Sequence, residues 1–298
     1  MQKVKLENEK LEITVNIHGA ELSSIREKKN DTQYLWNADP KYWNRSSPVL
    51  FPFVGGVKDK VYRHEGVEYP MNQHGFARDM DFDLLSQTEN EVWFALDATE
   101  ETKKVYPFDF HLEIGYHLEE NAVKVMWKVE NTNDKTMYFS IGAHPAFFCP
   151  VREGEKQSDD YIAFRKADGT VPESFTNTIF GQGGMVTTEK KKYGLQEGIL
   201  PITENLFDGD ALVIENHQVQ RVALMDSDKK EYLAVEFNAP LVGIWSPPKK
   251  HAPFVCIEPW YGRCDSEVFD GELKDREWGN TLEAGETFEA EYRVVVLA

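Results

Sequence analysis

Apolar and polar residues alternate along much of this chain with a period of two. The segments LEITVNI (11–17) and VKVMWKV (123–129) place apolar side chains at every second position, which is typical of strands that bury one face. The segment TFEAEYRVVVL (287–297) repeats the pattern near the end of the sequence. Further strands are predicted at EVWFAL, HLEIGYHL, MYFSIG, DALVIE, QRVALMD, YLAVEF, LVGIWS and FVCIE.

Helical periodicity is scarce in the sequence. Only DPKYWNR (39–45) is expected to form a short helical turn, since apolar residues rarely recur every three or four positions. Because strand follows strand without intervening helices, we expect antiparallel sheets. The predicted fold class is all-β, a large sandwich or barrel and not a doubly wound sheet.

Residues 1–298 are expected to form one domain, because neither a repeat of 20 to 50 residues nor a Pro/Ser-rich linker interrupts the pattern. The segment from VREGEKQSDD to KKKYGLQEG (151–198) is the most polar and glycine-rich part of the chain. It predicts long loops within that domain, with a domain boundary there as the alternative.

Composition and charge narrow the classes of partner. The chain has 33 lysines and arginines against 51 aspartates and glutamates, a formal net charge of −18. This charge repels phosphate backbones and anionic membrane surfaces. We therefore expect neither nucleic acid nor a membrane as partner, and a neutral small molecule as ligand. The protein is expected to be a monomer or a homodimer.

Cysteine usage and apolar runs bear on the compartment. Three cysteines form no CxxC pair, which fits a reducing compartment better than a disulfide framework. No run of about 18 apolar residues is present, and the N-terminal segment lacks the apolar region of a signal peptide. We expect a soluble cytoplasmic protein.

Two acid/base residues occupy matching positions where the strand pattern breaks. His144 follows an apolar strand in SIGAHPAFF, and Glu258 follows another in FVCIEPWYG. Each precedes a proline, which restricts the preceding residue to extended geometry and so aims its side chain. A buried carboxylate is costly unless it is paired. A structural role for either residue is the alternative. Trp260 and Tyr261 could provide apolar planes of the kind that sugar-binding sites often use, but core packing is the default interpretation for both.

Two further segments bring polar groups to loops beside Gly and Pro. NRSSPVLFPFVGG (44–56) contains Arg45, whose planar fork suits hydroxyls, carboxylates or phosphates, and NQHGFARDM (72–80) contains Gln73, His74 and Arg78. Asp210 precedes a predicted strand in FDGDALVIE. For Arg45 a surface ion pair, and for Asp210 an ordinary turn, are the alternatives.

Other chemistries find little support in the sequence. It contains no P-loop, no GxGxxG that opens a helix and no GxSxG. A metal site of two histidines and a carboxylate is conceivable on a β-barrel, but the close HxH or HxD spacing is missing. We therefore predict no metal and no cofactor.

Five segments, in the order NRSSPVLFP, QHGFAR, AHPAF, DAL and IEPWYG, resemble the aldose 1-epimerase (galactose mutarotase-like) family. The resemblance covers essentially the whole chain and is strongest to the branch of LacX-type proteins and hexose-6-phosphate 1-epimerases. It implies a large antiparallel β-sandwich. It also implies that His144 is the general acid and Glu258 the general base, and that His74 holds the sugar. Further sugar or phosphate contacts are implied for Arg45, Gln73, Arg78 and Asp210.

This resemblance implies an isomerase that interconverts α and β anomers by opening and closing the sugar ring. Ordinary pKa values leave Glu258 ionised at neutral pH, and His144 would benefit from a pKa raised by nearby carboxylates. A free hexose is the first expected substrate. A hexose 6-phosphate is the second, and a sugar-binding protein without turnover is a third hypothesis.

Overall fold

The computed structural model describes residues 2–297, and β-strands make up most of its regular structure. The strands in chain order are β1 (Lys3–Glu7), β2 (Leu11–Asn16), β3 (Leu22–Glu27), β4 (Thr32–Gln33), β5 (Val49–Leu50), β6 (Val61–His64), β7 (Val67–Pro70), β8 (Asp83–Gln87), β9 (Glu91–Asp97), β10 (Phe110–Leu118), β11 (Ala122–Asn131), β12 (Met137–Phe139), β13 (Ile141–Ala143), β14 (Ala146–Phe148), β15 (Tyr161–Arg165), β16 (Ser174–Phe180), β17 (Val186–Gly194), β18 (Ile199–Pro201), β19 (Leu212–Ile214), β20 (Arg221–Met225), β21 (Glu231–Phe237), β22 (Leu241–Trp245), β23 (Phe254–Tyr261), β24 (Asn280–Leu282) and β25 (Thr287–Val296). Over the same residues, helical structure consists of α1 (Glu100–Lys103) and the 3₁₀ turns Lys58–Lys60, Ala77–Asp79, Gln157–Asp159, Gln182–Gly184 and Leu273–Asp275. None of these helices has the length and apolar character needed to span a membrane.

Two large antiparallel sheets organise these strands. One has nine strands in the order β18-β15-β20-β21-β25-β11-β10-β9-β8. The other has eight, in the order β17-β16-β19-β22-β23-β13-β5 with β14 also beside β23. Strands β1 to β4 form a smaller sheet, and β12-β24 and β6-β7 form two-stranded ribbons. The predicted all-β antiparallel sandwich is confirmed.

The two large sheets face each other across a shared hydrophobic core. Trp127 of β11 in the nine-stranded sheet contacts Tyr261 of β23 in the eight-stranded sheet, with ring centroids 6.3 Å apart. Phe164 of β15 and Phe175 of β16 make a second such contact at 5.1 Å. Alternation along each strand therefore gives one buried face, as the period-two pattern predicts.

The predicted strands are present with small shifts in their bounds. MYFSIG divides at Ser140 into β12 and β13, and FVCIE continues through Pro259 to the end of β23. The predicted helical turn at DPKYWNR is a single hydrogen-bonded turn, in which the N–H of Trp43 donates to the carbonyl of Asp39 at 3.1 Å. The predicted strands therefore lie at the right positions in the sequence, and strand pairing in the fold shifts only where they begin and end.

The prediction of long loops across residues 151–198 is wrong. This segment contains β15, β16 and β17, which belong to the two large sheets. β17 (VTTEKKKYG) is an edge strand, and only its first residue is buried. An edge strand that faces solvent on both sides needs no apolar alternation, so the hydrophobic pattern could not reveal it.

Candidate active site

His144 and Glu258 are cross-strand neighbours at an interruption of the eight-stranded sheet. β13 and β14 pair one after the other with β23 in a single antiparallel register. The same register, extended over the gap between them, places His144 directly opposite Glu258. His144 Nε2 lies 3.4 Å from Glu258 Oε2. Strand pairing therefore joins two residues that are far apart in sequence.

Glu258 lies within β23 and not at its end, which corrects the position expected from the sequence. The N–H of Ile257 donates to the carbonyl of Pro145, on the side of β13 and β14. Because backbone groups alternate along a strand, the missing N–H of Pro259 falls on that side as well. Because the gap between β13 and β14 lies on that side, Pro259 breaks no hydrogen bond of the sheet. A proline is therefore tolerated in this central strand.

Alternation along β23 separates core residues from site residues. Val255 and Ile257 belong to the main core, whereas Glu258 points to the opposite face of the sheet, where loops cover it so closely that it is only 1% exposed. The covered space is a cavity of about 400 Å³. All seven site residues predicted from the sequence line it: Arg45, Gln73, His74, Arg78, His144, Asp210 and Glu258.

His74 is held as a neutral hydrogen-bond donor. Its own N–H donates to the carbonyl of Gly55 at 2.8 Å, and the N–H of Gly55 donates to His74 Nδ1 at 3.1 Å. Nδ1 is thus an acceptor, which leaves the proton of the neutral ring on Nε2. Burial, followed by the positive charge of nearby groups, lowers the pKa of His74 well below its ordinary value. The His74 and His144 rings meet edge to face at 5.5 Å.

Gly75 allows the segment after His74 to lie against the loop at Phe51. A Cβ atom at Gly75 would lie 2.2 Å from the carbonyl oxygen of Phe51, and its φ of +70° favours glycine. That carbonyl accepts hydrogen bonds from the N–H groups of Phe76 and Ala77. His74 itself adopts a φ of +69°, a strained conformation that persists only where surrounding contacts hold it.

Two arginines flank the cavity and share one carboxylate. Arg45 Nη2 donates to Asp79 at 2.5 Å, and Arg78 Nε lies 3.7 Å from the other oxygen of Asp79. Arg78 also donates through Nη2 to the carbonyl of Gln73 at 2.8 Å. Its Nε is buried with no hydrogen-bond partner among the described residues. The expected alternative for Arg45, an ion pair, is therefore present, but it lies at the edge of the cavity.

The pKa values of the two central residues move in opposite directions. Burial, and then the negative charge of Asp210, raises the pKa of Glu258 well above its ordinary range. Burial, and then the charges of Arg78 and Arg45, lowers the pKa of His144 to about 3. This differs from the expectation of an ionised glutamate and a histidine with a raised pKa, because the sequence does not show the desolvation. Between these two pKa values the pair holds one proton.

Comparison with known proteins gives the family. A sequence profile of the aldose 1-epimerase family matches residues 2–294. The chain belongs to this family. It is 30% identical over 302 residues to the plasmid-encoded protein LacX of Lactococcus lactis subsp. lactis, covering 99% of both chains.

Solved structures agree with this assignment. A galactose mutarotase related enzyme from Lactobacillus acidophilus has a TM-score of 0.92 and 32% identity, over 100% of this chain and 98% of that one. A galactose mutarotase-like protein from Lactobacillus casei has a TM-score of 0.92 and 28% identity, over 99% and 100% of the two chains. Membership of the aldose 1-epimerase family supports a carbohydrate epimerase, an enzyme of the isomerase class.

Aromatic side chains that were not predicted as site residues complete the cavity of this family member. The ring of Trp43 packs in a tilted arrangement against His144, with centroids 4.7 Å apart and an interplanar angle of 31°, and Trp245 meets the same imidazole edge on at 5.4 Å. Both line the cavity. Only their positions in the sequence could have indicated them: Trp43 lies two residues before Arg45, and Trp245 is the second-last residue of the predicted strand LVGIWS.

Trp260 also lines the cavity, instead of packing only in the core. Its indole lies across two glycines of neighbouring strands. A Cβ atom would come within 2.3 Å of the ring at Gly243 and within 2.8 Å at Gly142. Burial is the main cause of the raised pKa of Glu258. The nearby indole of Trp260 has the opposite, smaller effect and lowers this pKa. Glycines at both positions thus make room for an aromatic wall beside Glu258.

Proposed function

We propose that the protein is an aldose 1-epimerase that interconverts the α and β anomers of a hexose, with Glu258 as general base and His144 as general acid. Family membership supports the reaction class. The observation that carries the residue roles is the buried pair itself, with His144 Nε2 and Glu258 Oε2 3.4 Å apart in a cavity lined by hydrogen-bonding groups.

The reaction needs two coupled proton transfers. The Glu258 carboxylate takes the proton of the C1 hydroxyl while the bond between C1 and the ring oxygen breaks, and the ring oxygen takes a proton from protonated His144. The open aldehyde rotates about its C1–C2 bond. Closure returns both protons, so nothing is consumed. Positioned acid and base groups typically contribute about 10²–10⁴-fold each.

The opposed pKa shifts define the resting protonation state of this pair. With a raised pKa for Glu258 and a lowered one for His144, the pair at rest favours a neutral glutamic acid beside a neutral imidazole. That is the protonation state that follows ring opening. The reaction starts from a different state, in which a carboxylate lies beside an imidazolium. Both states hold one proton, which is on Glu258 in the first and on His144 in the second. The two states are tautomers of one coupled pair.

The rest of the cavity suits a sugar ring. Its volume of about 400 Å³ lies in the range of small-molecule sites. The indole rings of Trp43, Trp245 and Trp260 provide apolar planes for the C–H faces of a sugar. His74 offers Nε2–H to a hydroxyl, and Gln73, Arg45, Arg78 and Asp210 are the remaining proposed contacts.

A hexose 6-phosphate is the second candidate substrate. The observation that favours it is that Arg45 and Arg78 share the single carboxylate of Asp79, while Arg78 Nε is buried without a partner among the described residues. A guanidinium fork suits a phosphate. For this candidate, Arg78→Ala is expected to lower kcat/KM for glucose 6-phosphate more than for glucose. Equal rates on both sugars, with no change in the variant, would count against it.

Anomeric exchange measured by NMR across free and 6-phosphorylated hexoses tests the proposed function. We expect acceleration over buffer for at least one sugar, and a loss of at least about 100-fold in Glu258→Gln. Glu27→Gln is the matched control, since Glu27 is also a buried carboxylate but does not line the cavity. Saturable sugar binding without acceleration would instead identify a sugar-binding protein.

A further inference from the structure

Cys256 lies beside the acid/base pair, and the proposed reaction gives it no role. It precedes Glu258 by two residues on β23, so both side chains point to the same face of the sheet. One ligand atom each from His144, Cys256 and Glu258 lies within 4.8 Å of the others, and all three residues are buried. Cys256 is completely inaccessible to solvent, at 0% exposure.

We propose that His144, Cys256 and Glu258 form a binding site for one divalent transition-metal ion of the zinc type, and that the bound ion blocks the acid/base pair. An imidazole nitrogen, a thiolate and a carboxylate oxygen are the ligands that Zn²⁺ takes in proteins. The mixed set, with one soft sulfur donor, discriminates against Mg²⁺ and Ca²⁺, which prefer oxygen ligands.

The distances fit a tetrahedral ion with a small adjustment. Zn–N and Zn–O bonds of about 2.0–2.1 Å at a tetrahedral angle place two ligand atoms about 3.4 Å apart. The distance from His144 Nε2 to Glu258 Oε2 is 3.4 Å. A Zn–S bond of about 2.3 Å requires the sulfur to lie about 3.6 Å from each of the other ligand atoms. The Cys256 sulfur therefore needs to approach by on the order of 1 Å at most.

One of these ligand atoms has no hydrogen-bond partner in the described part of the chain, and the cavity gives an ion a route to it. Glu258 Oε2 is buried and has no hydrogen-bond partner among residues 2–297. His144 and Glu258 both line the cavity, which gives an ion access and leaves room for a water as fourth ligand. A thiolate and a carboxylate together neutralise a divalent ion. The charges of Arg45 and Arg78 oppose binding, but the carboxylates of Asp79 and Asp210 offset them.

Packing is the competing explanation for Cys256. The residue belongs to a small hydrophobic cluster with Trp36, Ala146 and Phe254. If it only fills space there, a serine in its place leaves metal binding unchanged.

Calorimetric titration of the metal-free full-length protein with Zn²⁺ tests the site directly. We expect one ion per chain in the wild type and a loss of affinity of at least about 10-fold in Cys256→Ser, since even indirect partners of metal ligands contribute that much. Cys149→Ser is the matched control, because Cys149 is a buried free cysteine that does not belong to the cluster of His144, Cys256 and Glu258. Its affinity is expected to equal that of the wild type.

A Co²⁺ titration adds a readout specific to the sulfur. The wild type is expected to show thiolate-to-cobalt charge-transfer absorption that Cys256→Ser lacks and Cys149→Ser retains. If Cys256→Ser does not fold, as judged by circular dichroism, Glu258→Gln removes a different ligand and should weaken Zn²⁺ binding to a similar extent. Failure of the wild type to bind Zn²⁺, or unchanged affinity in a folded ligand variant, would overturn the proposal.

Activity measurements separate this proposal from the proposed function. In an active enzyme, Zn²⁺ is expected to inhibit anomeric exchange in the wild type and in Cys149→Ser at concentrations that leave Cys256→Ser active. A protein that binds Zn²⁺ through Cys256 but never accelerates exchange would refute the function and keep the site. An active enzyme that does not bind Zn²⁺ would refute the site and keep the function.

Discussion

Gly243→Ala is expected to disable the active site while leaving the fold intact. Gly243 lies on β22 directly opposite Glu258, and the six-membered ring of the Trp260 indole covers it. A Cβ atom at Gly243 would lie 2.3 Å from two carbons of that ring, whereas ordinary contacts lie at 3.4–4 Å. The indole must therefore move by about 1 Å, the difference between 3.4 and 2.3 Å.

The expected magnitudes follow from that displacement. Overpacking of this kind typically costs about 1–3 kcal/mol of folding free energy. A shift of about 1 Å in a group that shapes an active site can lower the rate on the order of 100-fold. Gly243 does not have a positive φ, so alanine can adopt its backbone conformation, and the cost comes from the side-chain clash and not from backbone strain.

Gly115→Ala is the matched control for this experiment. Gly115 lies on β10 of the other sheet and does not line the cavity. A Cβ atom there would lie 2.7 Å from the indole of Trp93. Urea unfolding should show destabilisation in both variants, whereas anomeric exchange should fall only in Gly243→Ala. Wild-type kcat/KM in a folded Gly243→Ala, or an equal loss of activity in Gly115→Ala, would refute the role of the indole.

Three further predictions concern the protonation and the backbone of the site. Because burial lowers the pKa of His144 to about 3, a pH profile of kcat/KM should show no inflection at pH 6.5, where a histidine of ordinary pKa would lose its proton. The folded protein keeps the Glu258 proton that the unfolded chain releases above pH 4.5, so this contribution to stability is full below pH 4.5 and is lost as the pH rises towards the raised pKa. Glu258→Gln should therefore gain stability relative to the wild type in urea unfolding as the pH rises above 4.5, and a constant difference would contradict the raised pKa. Gly75→Ala should cost more than the roughly 1–2 kcal/mol of a left-handed alanine, because its Cβ meets the Phe51 carbonyl, whereas Gly66→Ala, with a φ of +75° and open space around it, should cost only that amount; equal losses would remove the clash as a cause.

The period-two pattern predicted most of the long strands in which one face is buried and the other is polar, but β1, which alternates in the same way, was missed. β11 and β25 follow it closely, because each turns alternate side chains to the core. β17 was not predicted because nearly all of its side chains are accessible to solvent, so its sequence does not alternate between apolar and polar residues. β16 lies beside it in the same segment and was missed with it.

The candidate site was predictable in its residues but not in its physics. Polar residues where the strand pattern breaks identified the segments, and the family resemblance selected within them the seven residues that line one cavity. The pKa shift of His144 was expected in the wrong direction, because it depends on desolvation and on two arginines that only the fold brings near.

Contacts that depend on tertiary packing could not be predicted from the sequence. The strand register that places His144 opposite Glu258 is fixed by pairing on both sides of an interruption. The glycines under Trp260 and the thiol of Cys256 beside the pair have no local signature, because each matters only for its neighbour across or along the strand.

The rate of anomeric exchange in Glu258→Gln, compared with the wild type by NMR on the best sugar substrate, tests the central claim most directly. The exchange rate should fall at least about 100-fold in the variant, while sugar binding measured by calorimetry persists. An unchanged rate in a folded Glu258→Gln would contradict the role of the buried pair as the acid and base of the reaction.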